Sequence, residues 1–243
     1  MLPYRIEEIT SPEFEKRAGE KDGVIIPFGS VEAHGAHLPL SSDTLQGTAV
    51  AEMVAEKSGL LLAPAIPYGV CVSTRDHPGT ITLKTETLKN ILFDLVASFR
   101  RQGVRTFIIL SGHAGKSHMS ALRDAGESII EEDPQIRMII ISEYDLIMEL
   151  VRPELETADD SHAGELETSR IMHLAPELVK GTSPEEYPSL SPYTIEADKR
   201  SRWPGSVWGN PAAADREKGR LFLERSAQAI CEIINQKSGL ESE

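Results

Sequence analysis

The sequence predicts an α/β fold of parallel βαβ units with helices on both faces of a sheet. Short apolar runs of strand length alternate with longer stretches of helical spacing, glycine or proline punctuates the boundaries, and polar histidine-bearing segments follow two of the runs. In such folds ligands collect at the carboxyl ends of the strands, where both of those segments lie.

The elements follow in order. Val24 to Phe28, closed by Gly29, has the pattern of a buried strand. Thr44 to Lys57 is a helix, with Ala49, Val50, Met53 and Val54 at helical spacing. Leu60 to Pro64 forms a second strand, and a loop bearing proline and glycine then runs to Gly79. Leu88, Ile91, Leu92, Leu95, Val96 and Phe99 mark an amphipathic helix that stops near Gly103. Arg105 to Leu110 is a β-branched strand, a helix follows to about Glu132, and Met138 to Ser142 is a further strand. A helix is expected over His162 to Leu174, and a closing helix over Asp215 to Gln236 with Leu221, Ala229, Ile230, Ile233 and Ile234 inward. Between them, Lys180 to Pro211 has no period and reads as a long ordered loop that covers something. Its Trp203 and Trp208 are expected to pack rather than to wall a pocket. No repeat or linker divides the chain, so residues 1–243 are read as one domain.

With 243 residues, 40% of them hydrophobic, the chain can bury one substantial core. A net charge of -13 excludes the counterion-releasing contacts of a nucleic-acid binder. Cys71 and Cys231, far apart in sequence, support neither a disulfide framework nor a cysteine-based zinc site, which points to a reducing cytoplasm. No apolar stretch reaches the roughly 18 residues that a membrane span needs.

The chemistry concentrates in three segments. Gly29 to Asp43 places Glu32, His34, His37 and Asp43 after a strand, and packing calls for none of them there. Carboxylate with imidazole suits zinc, manganese or iron, and Glu32 and His34, two apart in extended chain, point the same way. His113, at the tip of an apolar strand, can reach the same crevice. The candidate metal ligands are therefore Glu32, His34, Asp43 and His113. In the third segment, His162 and Glu165 stand at i and i+3 and would share one face at a helix start. His162 is a candidate proton carrier and Glu165 a candidate catalytic partner. Ser73, Lys116 and Glu167 are candidate substrate contacts; solvation is the plainer alternative for Lys116, and Glu165 and Glu167 could equally orient ligating imidazoles at a metal site or face solvent.

Together these segments resemble the creatininase family of amidohydrolases, whose relatives include deformylases and a peptidase. The resemblance rests on Ser30-Val31-Glu32-Ala33-His34-Gly35-Ala36-His37-Leu38-Pro39 with Asp43, on Tyr68-Gly69 and His77-Pro78-Gly79-Thr80, on Gly112-His113, on His162 to Ser169, and on Gly205 to Pro211 with Glu217-Lys218-Gly219. It implies a three-layer α/β/α sandwich, a homohexamer, and one or two divalent ions per chain. By position Glu32, Asp43 and His113 would hold one ion, His34 and Asp43 the other, and His162 would pass a proton to the departing nitrogen. The implied activity is hydrolysis of a C–N bond in a small cyclic amide or formamide. Two departures from the family enzyme that acts on creatinine matter: Gly115 stands where it has a second-ion glutamate, which implies a weaker or more hydrated second ion, and Ser161 stands where it has a carboxylate, which argues against creatinine as the substrate. The competing readings are a non-catalytic metal or small-molecule binding module on the same scaffold, and a dinucleotide-binding oxidoreductase, which lacks its Gly-x-Gly-x-x-Gly turn.

Overall fold

The computed structural model describes residues 4–21, 23–188 and 193–238. Its sheet has four parallel strands, β1 (Gly23–Phe28), β2 (Leu61–Leu62), β3 (Thr106–Ser111) and β4 (Arg137–Ser142), in the order β2-β1-β3-β4. The helices are α1 (Ser11–Glu20), α2 (Ser42–Ser58), α3 (Thr85–Arg101), α4 (Lys116–Glu132), α5 (Glu143–Val151), α6 (Glu165–Leu174) and α7 (Arg216–Ser238).

The period-2 alternation of strand side chains divides the apolar residues into two cores. Val24, Ile26, Phe28, Phe107 and Ile109 face Leu88, Leu92, Leu122 and Ala125 of α3 and α4. Ile25, Ile108 and Leu110 face Val50, Val54, Leu223 and Ile230 of α2 and α7. A sheet buried on both faces explains why β1 and β3 read as continuous apolar runs. The expected α/β/α layering is present.

Several boundaries differ from expectation. The second strand shrinks to two residues at the sheet edge: Leu61 and Leu62 pair in register with Val24 and Ile25, and the chain then meets β1 again only at an isolated bridge between Ile66 and Phe28. In α7 the inward set is Phe222, Leu223, Ser226, Ala227, Ile230 and Ile234, while Leu221 is exposed. Helix α6 starts at Glu165 rather than His162, since the Asp160 carboxylate accepts from the Glu165 and Leu166 amides, at 2.7 and 3.0 Å, and fixes the first turn there. The long segment before α7 lacks regular structure as expected, although its residues 189–192 lie outside those described. No helix among the described residues is long and apolar enough to cross a membrane.

Helices α6 and α7 cross in close contact. A Cβ at Gly219 would lie 1.9 Å from the Ser169 carbonyl oxygen, so the two backbones meet with no room for a side chain. Around this crossing Arg170 of α6 is fully buried and forms a two-pronged pair with Glu143 of α5, both contacts at 2.8 Å. Its guanidinium also donates to Ser226 on α7, at 2.7 Å, and to Gln46 on α2, at 3.2 Å.

Gly219→Ala is expected to lower stability by about 1–3 kcal/mol, the usual cost of overpacking. In α1 a Cβ at Gly19 would meet nothing within 4 Å, so Gly19→Ala should be neutral or stabilising. Urea unfolding followed by circular dichroism separates the two; equal midpoints would remove the close-crossing explanation.

Candidate metal centre

Three chain segments converge at the carboxyl end of the sheet. Glu32 and His34 follow β1, Asp43 stands in the first turn of α2, and His113 follows β3. Their approach depends on glycine. A Cβ at Gly112 would lie 2.1 Å from the Asp43 carbonyl oxygen, and one at Gly47 would lie 2.9 Å from the Gly112 nitrogen, so α2 rests directly on the turn that carries His113.

Asp43 is shared between the two imidazoles. Its Oδ2 lies 2.8 Å from His113 Nδ1 and its Oδ1 lies 3.0 Å from His34 Nε2. Glu32 Oε2 reaches His113 Nδ1 at 3.0 Å, and Glu167 Oε2 lies 3.7 Å from His34 Nε2. Ser30 donates to Asp43 Oδ2 at 2.6 Å and Thr74 donates to Glu32 Oε1, which orients both carboxylates. All four predicted ligands come together, at most 6% exposed.

The far nitrogens of both rings are tied to backbone carbonyls. His34 Nδ1 lies 3.0 Å from the Glu32 oxygen, and His113 Nε2 lies 3.2 Å from the Val70 oxygen. Each of those nitrogens must carry hydrogen to donate, which turns His34 Nε2 and His113 Nδ1 toward the carboxylates. Neutral imidazoles would there set lone pairs against carboxylate oxygens, so the arrangement calls for protons or cations in between. Protons satisfy it in the metal-free protein. Burial lowers the His34 pKa, but Asp43 and Glu167 outweigh burial and raise it to about 10. His113 is likewise raised well above its usual range against burial by Glu32 and Asp43. Burial would raise Glu32, yet the adjoining His113 holds it at about 2. Two imidazole nitrogens and carboxylate oxygens at these spacings are a donor set that fits a borderline divalent ion.

Glu167, expected as a substrate contact, as support for a ligating imidazole or as a solvated helix residue, faces His34. Its Oε1 accepts from Gln46 at 2.9 Å and its Oε2 from the Ala163 amide at 2.6 Å. Glu165 goes elsewhere, contrary to expectation. Because His162 precedes the helix, the two residues share no helical face, and the Glu165 carboxylate accepts from the Thr157 and Glu156 amides and from Lys218. His162 instead pairs with Trp208 across a short backbone bridge and is followed by Ala163 at a φ of 50°, a left-handed conformation that costs a non-glycine residue about 1–2 kcal/mol. That turn stacks the His162 ring 4.3 Å from the His34 ring, with Nε2 2.8 Å from the Ala33 oxygen. One atom each of His34, His162 and Glu167 lies within 4.8 Å of the others.

His37, the other imidazole of the first segment, serves as a clasp. It lies between Ser183 and Thr168, 2.9 Å from each, and burial followed by the His34 and His162 charges lowers it to about 4, so it stays neutral. Cys71 is the residue that sequence reasoning set aside. Its thiol, from the loop after β2, contacts His113 and lies with Glu32 and His113 in a second group of possible ligands within 4.8 Å. Burial and the Glu32 charge raise its pKa. Gly115, where the family resemblance anticipates a glutamate in the creatinine-acting enzyme, packs against the His113 ring; a Cβ there would lie 2.4 Å from Nε2.

The cluster floors a cavity of about 610 Å³. Val70, Val72, Trp203 and Trp208 wall it, so the two tryptophans line a pocket as well as pack, and the long segment before α7 does cover the site. His77 anchors that segment, its Nε2 2.7 Å from the Trp203 oxygen. Ser73, Lys116, Asp145 and Ser161 also line the cavity.

Comparison with known proteins agrees with this architecture. Residues 7–234 match the family model described as creatininase, creatinine amidohydrolase. The creatinine amidohydrolase of Pseudomonas putida is 29% identical, over 95% of each chain. The 3-dehydro-scyllo-inosose hydrolase of Thermotoga maritima is 30% identical, over 84% of this chain and 69% of its own. A solved manganese creatininase superposes with a TM-score of 0.85 at 27% identity, over 96% of this chain and 98% of that one. With residues 7–234 matched by the family model and the fold shared over nearly the whole chain, the chain belongs to the creatininase family of hydrolases.

Proposed function

We propose that this chain is a metal-dependent amidohydrolase that uses water to cleave a C–N bond of a small cyclic amide or formamide. The observation that carries the reading is the Asp43 carboxylate, placed with one oxygen toward each of two imidazoles at the floor of a walled cavity. Glu32, Asp43 and His113 would hold one divalent ion, and His34, Asp43 and Glu167 the other. Zinc and manganese suit these donors, and the manganese form of a related creatininase supports that choice. Bound there, such ions would lower the pKa of water and polarise an amide carbonyl.

The chain's own groups supply the rest. Ser30, Thr74 and Gln46 hold the three carboxylates in place, and the Glu32 and Val70 carbonyls fix the imidazole tautomers. His162, with Nε2–H donated to Ala33, keeps Nδ1 as the nitrogen that takes a proton and returns it to the departing amine. Trp203, Trp208, Val70 and Val72 exclude bulk water, while Ser73 and Lys116 meet the substrate at the rim. Gly115 leaves the second ion with one carboxylate fewer than in the creatinine-acting pattern, and Ser161 removes the carboxylate before His162, so the substrate is an amide other than creatinine. A non-catalytic module would not need a proton carrier stacked on a ligand histidine.

Metal analysis of the purified protein should find at least one transition metal per chain. Asp43→Ala should strip most of it, whereas Glu165→Gln, which alters a carboxylate outside the cluster, should retain it; metal retained in Asp43→Ala removes the site. His162→Ala should lower kcat by roughly 10²- to 10⁴-fold with metal content unchanged. The substrate for that measurement comes from a screen of cyclic ureas, lactams and formamides against metal-loaded protein.

The direction of the pH dependence follows from the imidazoles. Their raised pKa values mean that the metal-free site holds protons through neutrality, and ions must displace them. Metal affinity should therefore weaken steadily as pH falls. Calorimetry of zinc binding in buffers of different ionisation enthalpy should show net proton release; binding without it would contradict the assignment of His34 and His113 as ligands.

A further inference from the structure

Cys71 is 1% exposed, but its surroundings are not those of an inert core thiol. It sits in the loop between β2 and α3, where its amide donates to Thr82 Oγ1 at 2.9 Å. That bond, with the Val70 amide donating to His118 Nδ1 at 3.2 Å and the Val70 carbonyl meeting His113 Nε2, fixes the loop's path past His113. The thiol is thereby set against the His113 ring and within 4.8 Å of a ligand atom of both His113 and Glu32. Around one ion, donors at ordinary bond lengths of roughly 2.0–2.3 Å stand about 3–4 Å apart, and a small adjustment closes the remaining gap.

We infer that Cys71 Sγ is a ligand of the cation position formed by Glu32 and His113, giving that position a mixed carboxylate, imidazole and thiolate donor set. This inference rests on the metal-dependent reading of the site. The balance is simple: the thiol gives its proton to solvent, its sulfur lone pair forms the new bond, and nothing is oxidised or reduced. Two consequences follow. A thiolate favours softer ions, so this position selects zinc over manganese. With Glu32, Asp43, His113 and Cys71 in place, it also approaches the closed, four-donor condition of a structural site. The position beside His34 and Glu167, next to the proton-carrying His162, then retains the open coordination that hydrolysis needs.

Cobalt(II) loading of the full chain reports the sulfur bond directly. The wild type should show visible d–d bands together with a near-ultraviolet sulfur-to-cobalt charge-transfer band. Cys71→Ser and Cys71→Ala should keep the visible bands and lose the near-ultraviolet one. The preference for zinc over manganese, as a ratio of dissociation constants, should fall in Cys71→Ser by at least about tenfold, since even outer-shell partners tune metal affinity by roughly 10- to 100-fold and a direct thiolate ligand acts more strongly on the softer ion. Zinc binding to the wild type should release about one more proton than binding to Cys71→Ser. Visible bands without the charge-transfer band in the wild type would overturn the Cys71 assignment and leave the metal site standing, as would persistence of that band in Cys71→Ala. Failure to bind cobalt or zinc at all would overturn both.

Discussion

Three carboxylates and two imidazoles buried in mutual contact impose a charge balance that much of the chain is arranged to meet. Placing an ion where water cannot reach it costs several kcal/mol unless opposite charge and hydrogen bonds compensate. Here Ser30, Thr74, Gln46 and the Ala163 amide donate to carboxylate oxygens, while His34 and His113, their pKa values raised by the carboxylates beside them, supply the opposite charge. The glycine contact between Gly47 and Gly112 exists because Asp43 must reach the tip of β3.

A second buried ionic system stands behind the first. Arg170 and Glu143, both fully buried, link α6 to α5, and the same guanidinium touches Gln46, whose amide nitrogen holds Glu167. Such pairs contribute less to net stability than their geometry suggests, but removal of one member leaves an uncompensated charge at a cost of about 3–5 kcal/mol. The pair thus fixes the orientation of α6, and with it the position of Glu167. A change at Ser226 on α7, also bonded to Arg170 and to Glu143, can reach the metal centre through three hydrogen bonds.

Much of this was legible in the sequence because its physics is periodic. Strands buried on both faces and helices with a repeating apolar stripe announce themselves, and Glu32, His34, Asp43 and His113 stood out as polar groups at strand ends. Two helices went unseen. The start of α1 carried a signal in Thr10 and Glu13, whose carboxylate returns to the Thr10 amide at 2.7 Å, and that of α5 in Ser142, which accepts from the Asp145 amide at 3.2 Å. The reading of His162 and Glu165 as one helical face failed for a reason that periodic spacing does not encode: the nearby Asp160 carboxylate caps the Glu165 and Leu166 amides and decides where α6 begins. The placement of Glu167 against His34 and the approach of Cys71 to His113 could not be read from the sequence, because they depend on the left-handed turn at Ala163 and on the path of an irregular loop. Both are set by tertiary contacts.

Gly115 has a consequence for anyone wishing to redesign this pocket. The His113 ring, held by the Val70 carbonyl, fills the space that a larger residue would need, so a glutamate grafted at position 115 would press on that ring before it could take part in the site. A carboxylate at that position therefore cannot be introduced by exchanging a single side chain. The loop that carries Val70 and Cys71 would have to be transplanted with the acid, as one inherited unit.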